Sequence, residues 1–377
     1  MKTVVVAADM VTPYGWGIEP CWRGLLSGRS AVGRLGRFST QAFHSPNAGI
    51  VSELDPAAAD SLVMQMLKPL LADTRPAVPA DATVILATTV GEIDLLEKHV
   101  LTGTGQPDDS RPDRLLEKVR SLCGSKVSGR VISAACASST AAVAQAAAMI
   151  RDRERDAVLV VACDSVTEFV FAGFSSLMAL DPESARPFDR NRRGLSVGEA
   201  AGYILLMSED RAQRENRASI GEIAGWGLSN DANHMTGPSR DGHGLAAAIR
   251  RALESAGVSP DQVGAISAHG TGTGYNDSME LKAFRLVFGE AARPTYSIKG
   301  GIGHTMGATG LVQLIVALES LRAGVVPPTV GLRDVDDEAL GWASMKPTEL
   351  VDAPVQLSVN AGFGGVNAAL AVRRLRE

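Results

Sequence analysis

A chain of 377 residues, 45% hydrophobic and 21% charged, has the make-up of a folded protein and length for two domains or one duplicated unit. Its net charge of −5 offers no bulk basic field for nucleic acid, which is not expected as a partner. Four cysteines (Cys21, Cys123, Cys136, Cys163) show no C-x-x-C spacing and read as reduced thiols of a cytoplasmic protein, not as a disulfide frame. The opening MKTVVVAADMVTPYGWG is interrupted by Asp9 and followed by turn residues, so it is read as a first strand rather than a signal peptide. No apolar run approaches the roughly 18 residues of a membrane span, and no membrane is expected.

In chain order, β-branched runs predict strands at 3–7, 83–88, 129–135 and 157–163, then at 219–226, 263–268, 294–298 and 355–360. Helical stretches fall at 137–152, 244–256, 277–288 and 308–323, and the Gly/Pro/Asp/Ser-rich segment 102–113 is a surface loop. Alternating strands and helices imply an α/β fold. The order within GRVISAACASSTAAVAQAAAMI returns in PTYSIKGGIGHTMGATGLVQLIVALESL: a strand, a reactive side chain, then a helix of small residues. That echo suggests a duplication with both helices buried.

Cys136 stands between a strand and a helix, where backbone N–H groups and the helix dipole favour a thiolate nucleophile. The alternative is a small core residue, which is the reading taken for Cys123 and Cys163. Two of the six histidines lie at strand ends beside glycines: His269 in SAHGTGTGYNDSME and His304 in SIKGGIGHTMGATG, five residues after Lys299. Strand ends are where open α/β sheets keep their sites. Cysteine with two histidines is also a permitted zinc set, but without any short-range ligand pair no metal is expected. The Gly-rich loops match neither a dinucleotide fingerprint nor a P-loop. NAGFGGVN, residues 360–367, could aim backbone N–H groups at an oxyanion.

Taken together, AACASS, RPFDRNRRGLSVGEAAG, SNDANHMTGPSRDG, HGTGT, KGGIGH and GFGG resemble the β-ketoacyl synthases of the thiolase superfamily, of the elongating Cys-His-His type, over nearly the whole chain. The resemblance implies a duplicated thiolase-like fold, layered α-β-α-β-α, with two mixed sheets around buried helices. It divides the chain into halves 1–215, with the nucleophilic cysteine, and 216–377, with both histidines. It implies a decarboxylative Claisen condensation of an acyl thioester with a malonyl thioester in fatty-acid or polyketide synthesis. The substrates ride on the phosphopantetheine of an acyl carrier protein, and no other cofactor is needed. Cys136 matches the nucleophile, and His269 and His304 the pair that promotes decarboxylation. Lys299 and Glu280 match a supporting polar pair, and the N–H groups of Cys136 and Phe363 an oxyanion hole. Thr271, Thr273, Ala361 and Phe363 match substrate-binding positions, while Asp189 and Glu199 are expected to be structural.

A homodimer, or a heterodimer with a related subunit, is implied as well. The alternatives are a partner subunit with little activity of its own and a thiolase or acyltransferase working on coenzyme A esters. Two departures from the family pattern bear on substrate preference: Ala361 stands where phenylalanine is common, and the region before Cys136 is short. Two basic clusters, Arg111–Arg130 and Arg190, Arg192 and Arg193, are candidate docking faces for an acidic carrier, the first being favoured.

Overall fold

The computed structural model describes residues 1–72, 74–350 and 354–374. Five strands build the first half: β1 (Thr3–Thr12), β2 (Thr83–Ala87), β3 (Arg130–Ile132), β4 (Ala157–Asp164) and β5 (Ala200–Ser208). Five more build the second: β6 (Gly221–Asn230), β7 (Val263–Ser267), β8 (Thr295–Tyr296), β9 (Val355–Gly362) and β10 (Val366–Arg373). Their spatial orders are β3-β2-β4-β5-β1 and β8-β7-β9-β10-β6, so each half runs third, second, fourth, fifth, first. The same neighbours are parallel or antiparallel in both. Each half is thus a mixed sheet. Two registered pairs, Val4 with Glu222 and Val5 with Gly221, join them, and with the short hairpin strand Gly15–Trp16 the ladder counts eleven strands.

Two helices lie between the sheets and touch strands of both: α1 (Ser138–Arg151), which follows β3, and α4 (Thr309–Ala323), which follows β8. Between them in sequence come α2 (Glu168–Ser176) and α3 (Gly274–Phe288). The outer faces are covered by Leu62–Ala72 and Pro112–Cys123 on one side and His243–Ala256 on the other. Small side chains on α1 serve close approach. A Cβ on Gly310 of α4 would come within 1.9 Å of the Thr140 hydroxyl of α1, so only glycine permits that spacing.

The expected strands and helices are all present, with ends shifted by a few residues. β1 extends past the expected 3–7 and runs through Asp9 to Thr12. Of the ten strands β1 to β10, two were not anticipated, β5 and β10, which complete the two mixed sheets by antiparallel pairing. One expectation is corrected: Met306–Ala323 is long and apolar enough to cross a membrane, because an uncharged 3₁₀ turn, Met306–Ala308, runs directly into α4. It is 83% buried inside the protein, the position of a core helix.

Candidate active site

The two small-residue helices and the equivalent loops before them converge at one place. Cys136 lies two residues before α1, after Ala135, whose φ of 48° turns the chain sharply out of β3. Ser138 ties that turn together, accepting from the Ala134 N–H at 2.8 Å and donating to the Ala135 carbonyl at 2.6 Å. His304 enters from the other half. Gly303, with φ of 75°, passes so close to Val197 that a Cβ would lie 2.6 Å from its carbonyl oxygen. Its Nε2 stands 3.0 Å from the Cys136 Sγ.

The other nitrogen of that ring reports its tautomer. Nδ1 accepts from the Met306 N–H at 3.0 Å, so the proton of neutral His304 is on Nε2 and points at the sulfur. The Phe363 N–H also donates to Sγ. His269 follows β7 and meets His304 edge-on, with centroids 5.3 Å apart and planes at 84°. Cys136, His269 and His304 are all buried, and their reactive atoms lie within 4.8 Å of one another.

Behind His269, Glu280 of α3 accepts from the N–H groups of His269 at 2.7 Å and Gly270 at 2.6 Å. Lys299 reaches the same residue from the far side, contacting its carbonyl and, at 3.2 Å, its Nδ1. Burial pushes Glu280 up and Lys299 down from their ordinary pKa values. Burial, and then the Lys299 charge, hold both imidazoles well below the usual histidine range, so both are neutral at pH 7.

Burial also overrides the expected activation of the thiol. Cys136 is pushed up to about 11 by desolvation; Lys299 and the Phe363 N–H act the other way without prevailing. The resting group is therefore a thiol, and the helix start does not ionise it as the sequence suggested. Because the thiolate fraction rises with pH below the pKa, alkylation of Cys136 by iodoacetamide is expected to climb about tenfold per pH unit from pH 7 to 9. A plateau within that window, read by mass spectrometry, would show a lower pKa and refute the neutral resting thiol.

The Cys-His-His set is one a soft divalent metal could also use, but the Lys299 ammonium beside His269 opposes a second positive charge there. A cavity of about 930 Å³ opens onto Cys136 and both histidines. Thr271, Thr273, Ala361 and Phe363 line it, as does Phe174 of α2, whose ring sits 6.2 Å from His304 and 6.1 Å from Phe363. Lys299 and Glu280 stand behind the wall. Asp189 and Glu199 make the structural contacts expected of them. Glu199 receives Arg37 through two nitrogens and the Val51 and Val166 N–H groups. Asp189 receives the N–H groups of Asn191, Arg333 and Asp334.

Four residues around the site were not singled out from sequence. Asp164, at the end of β4, accepts from the Thr88 hydroxyl, from Thr89 through both N–H and hydroxyl, and from the Gly307 N–H beyond His304. An acid closing an eight-residue buried strand was a legible signal. Asp277 secures the turn at Thr271 and Gly272. Asn360 and Gln313 join the site through polar contacts inside the core, which no periodicity marks. Among the basic clusters, Arg111, Lys118 and Arg120 pair with Asp113, Glu92 and Glu117, and none of them lines the cavity. Of the second cluster Arg192 and Arg193 do and Arg190 does not, and Arg240, outside both clusters, lines it as well.

This geometry has relatives. A model described as the β-ketoacyl synthase C-terminal domain matches residues 220–333, and one described as its N-terminal domain matches residues 122–212. The 3-oxoacyl-(acyl-carrier-protein) synthase 2 of Vibrio cholerae serotype O1 is 30% identical over 419 aligned residues, covering 99% of each chain. The chain belongs to the β-ketoacyl synthase family. Also similar is the oxytetracycline polyketide putative beta-ketoacyl synthase 1 of Streptomyces rimosus, 30% identical over 98% of this chain and 96% of its own. Among solved structures, the ishigamide ketosynthase/chain length factor superposes with a TM-score of 0.88 at 29% identity, covering 100% of this chain and 99% of that one. This β-ketoacyl synthase has the thiolase-like fold and is a condensing enzyme, of the acyltransferase class, of fatty-acid or polyketide synthesis.

Proposed function

We propose that this enzyme joins an acyl thioester to a malonyl thioester with loss of CO2, both substrates being carried on an acyl carrier protein. The observation that carries the reading is the convergence of one thiol and two neutral imidazoles on a single buried space. In the first half-reaction the Cys136 sulfur attacks the acyl carbonyl. The Cys136 and Phe363 N–H groups hold the tetrahedral oxyanion, and the carrier arm leaves as a thiol with the cysteine's proton. His304 favours attack by directing its Nε2–H at the sulfur as negative charge develops there.

In the second half-reaction the malonyl carboxylate departs as CO2 and its bonding electrons form an enolate. The enolate oxygen accepts from the Nε2–H groups of His269 and His304, and neutral rings suit this because they donate without a charge to desolvate. The enolate carbon then attacks the acyl carbonyl on Cys136, and collapse expels the thiolate and leaves a β-ketoacyl thioester. Lys299 and Glu280 orient His269, and Thr271 and Thr273, with hydroxyls 2.8 Å apart, meet the pantetheine arm. Ala361 leaves room beside the acyl group. The two halves, 1–215 and 216–377, supply the nucleophile and the histidines respectively. A homodimer or a pair with a related subunit belongs to the same reading.

The arm's limited reach puts the acidic carrier at the cavity mouth, by Arg193 and Arg240, rather than on the Arg111–Arg130 stretch. The test is turnover of acyl and malonyl groups on carrier and on free pantetheine, across a salt series. Expected is one CO2 and one β-ketoacyl product per cycle, with carrier-bound turnover falling more steeply with salt. Acylation without product, or no turnover on either, would favour a partner subunit; equal rates on pantetheine at all salts would remove the carrier.

A further inference from the structure

We infer that Asn360 is a positioning residue that keeps the proton of His269 on Nε2, the nitrogen left free for the cavity. The inference starts at Gln313 of α4. Its Nε2 is surrounded by oxygen: the carbonyls of Ala268 at 2.9 Å, Ser267 at 3.2 Å and Val359 at 3.3 Å, and the Ser267 hydroxyl at 3.3 Å. Carbonyls only accept, so the nitrogen end of this amide must face them. Its oxygen then faces Asn360.

An amide oxygen likewise only accepts, so Asn360 must present its NH2 group to it, at 2.7 Å. That fixes the Asn360 oxygen against the Thr140 hydroxyl of α1, which donates to it. The second hydrogen on the Asn360 nitrogen then points to His269 Nδ1, 3.3 Å away. At that length the bond itself is weak. Its force is exclusion, because a proton on Nδ1 would confront an N–H. Every member of the chain is buried, so no water can relieve a wrong choice. Three backbone carbonyls thus dictate a tautomer two side chains away.

Lys299 touches the same Nδ1. An ammonium there gives the same answer as Asn360, but burial lowers the lysine's pKa, and an uncharged amine accepts as readily as it donates. Asn360 has no second state. It holds the tautomer through any change of charge on Lys299.

The catalytic consequence rests on the role proposed above for His269; the tautomer itself does not. The experiment is therefore imidazole nitrogen NMR on 15N-histidine-labelled protein, wild type and Asn360→Asp, with His269→Gln to assign the signal. Malonyl decarboxylation and Cys136 acylation are measured separately. In the wild type Nδ1 should be unprotonated and Nε2 protonated. Asn360→Asp, which offers an acceptor instead of a donor, should reverse them once Lys299 has lost its charge, so spectra are taken from pH 7 to 10. Decarboxylation should then fall by on the order of 10² to 10⁴, the scale of a catalytic imidazole held in the wrong tautomer, while acylation changes by less than about threefold. A proton on Nδ1 in the wild type at any pH of the series overturns the inference without recourse to any variant, and so does an unchanged tautomer in Asn360→Asp at its alkaline end, where Lys299 is an amine. Reversal with undiminished decarboxylation would uphold the lock and overturn the role given to His269.

Discussion

Cys136→Ala is expected to form no acyl adduct with any carrier-bound donor, while the wild type gains the mass of one acyl group. Sγ is the atom to which His304 Nε2 and the Phe363 N–H both point, and the other thiols are Cys21, Cys163 and the half-buried Cys123. None of those three lines the cavity. Condensation should fall by at least roughly 10⁴, the scale seen when a nucleophile is removed. Decarboxylation should continue, because His269 and His304 remain and CO2 loss needs no acyl group on sulfur. Intact mass together with CO2 release checks both parts. An adduct that persists in the variant would move the nucleophile elsewhere.

His269→Ala should produce the complementary defect. Acyl transfer to Cys136 depends on the two backbone N–H groups and His304, all of which survive. Decarboxylation loses one of two donors to the enolate oxygen and should drop by roughly 10² to 10³, as when an oxyanion donor is deleted. Acyl-enzyme should then accumulate in the presence of a malonyl donor instead of turning over. The decisive comparison is the adduct population by mass against product formation in the same reaction. Loss of acylation equal to loss of product would mean that His269 also serves the first half-reaction, and the division of roles would fail.

Much of this site was legible in the sequence because its chemistry is concentrated in short, unusual neighbourhoods. Cys136, His269 and His304 each stand between an apolar strand and small residues or glycine, and the same pattern located the strands that present them. Two kinds of feature stayed hidden. One is the effect of burial: a cysteine at a helix start reads as activated, yet enclosing it costs more than Lys299 and one N–H return. The other is side chains that act across the core. Asn360 and Gln313 are 47 residues apart, and nothing local links either to His269. β5 and β10 went unread for a different reason: AAGYILLMS and VNAALAVR are mostly Ala, Leu and other residues without a β-branch and lack the β-branched runs that marked the other strands.

Gly310 sets more than the fit of two helices. α1 carries the cysteine just ahead of its first turn, and α4 carries His304 just ahead of its own. The gap between the helix axes is therefore also the gap across which sulfur and imidazole meet. The 3.0 Å separation of Sγ and Nε2 is gauged outside the cavity, at a contact no substrate reaches. Adding a methyl group there would wedge the nucleophile away from its donor while leaving every reacting group chemically unaltered. Tolerance in this enzyme is thus narrowest where its chemistry is least visible.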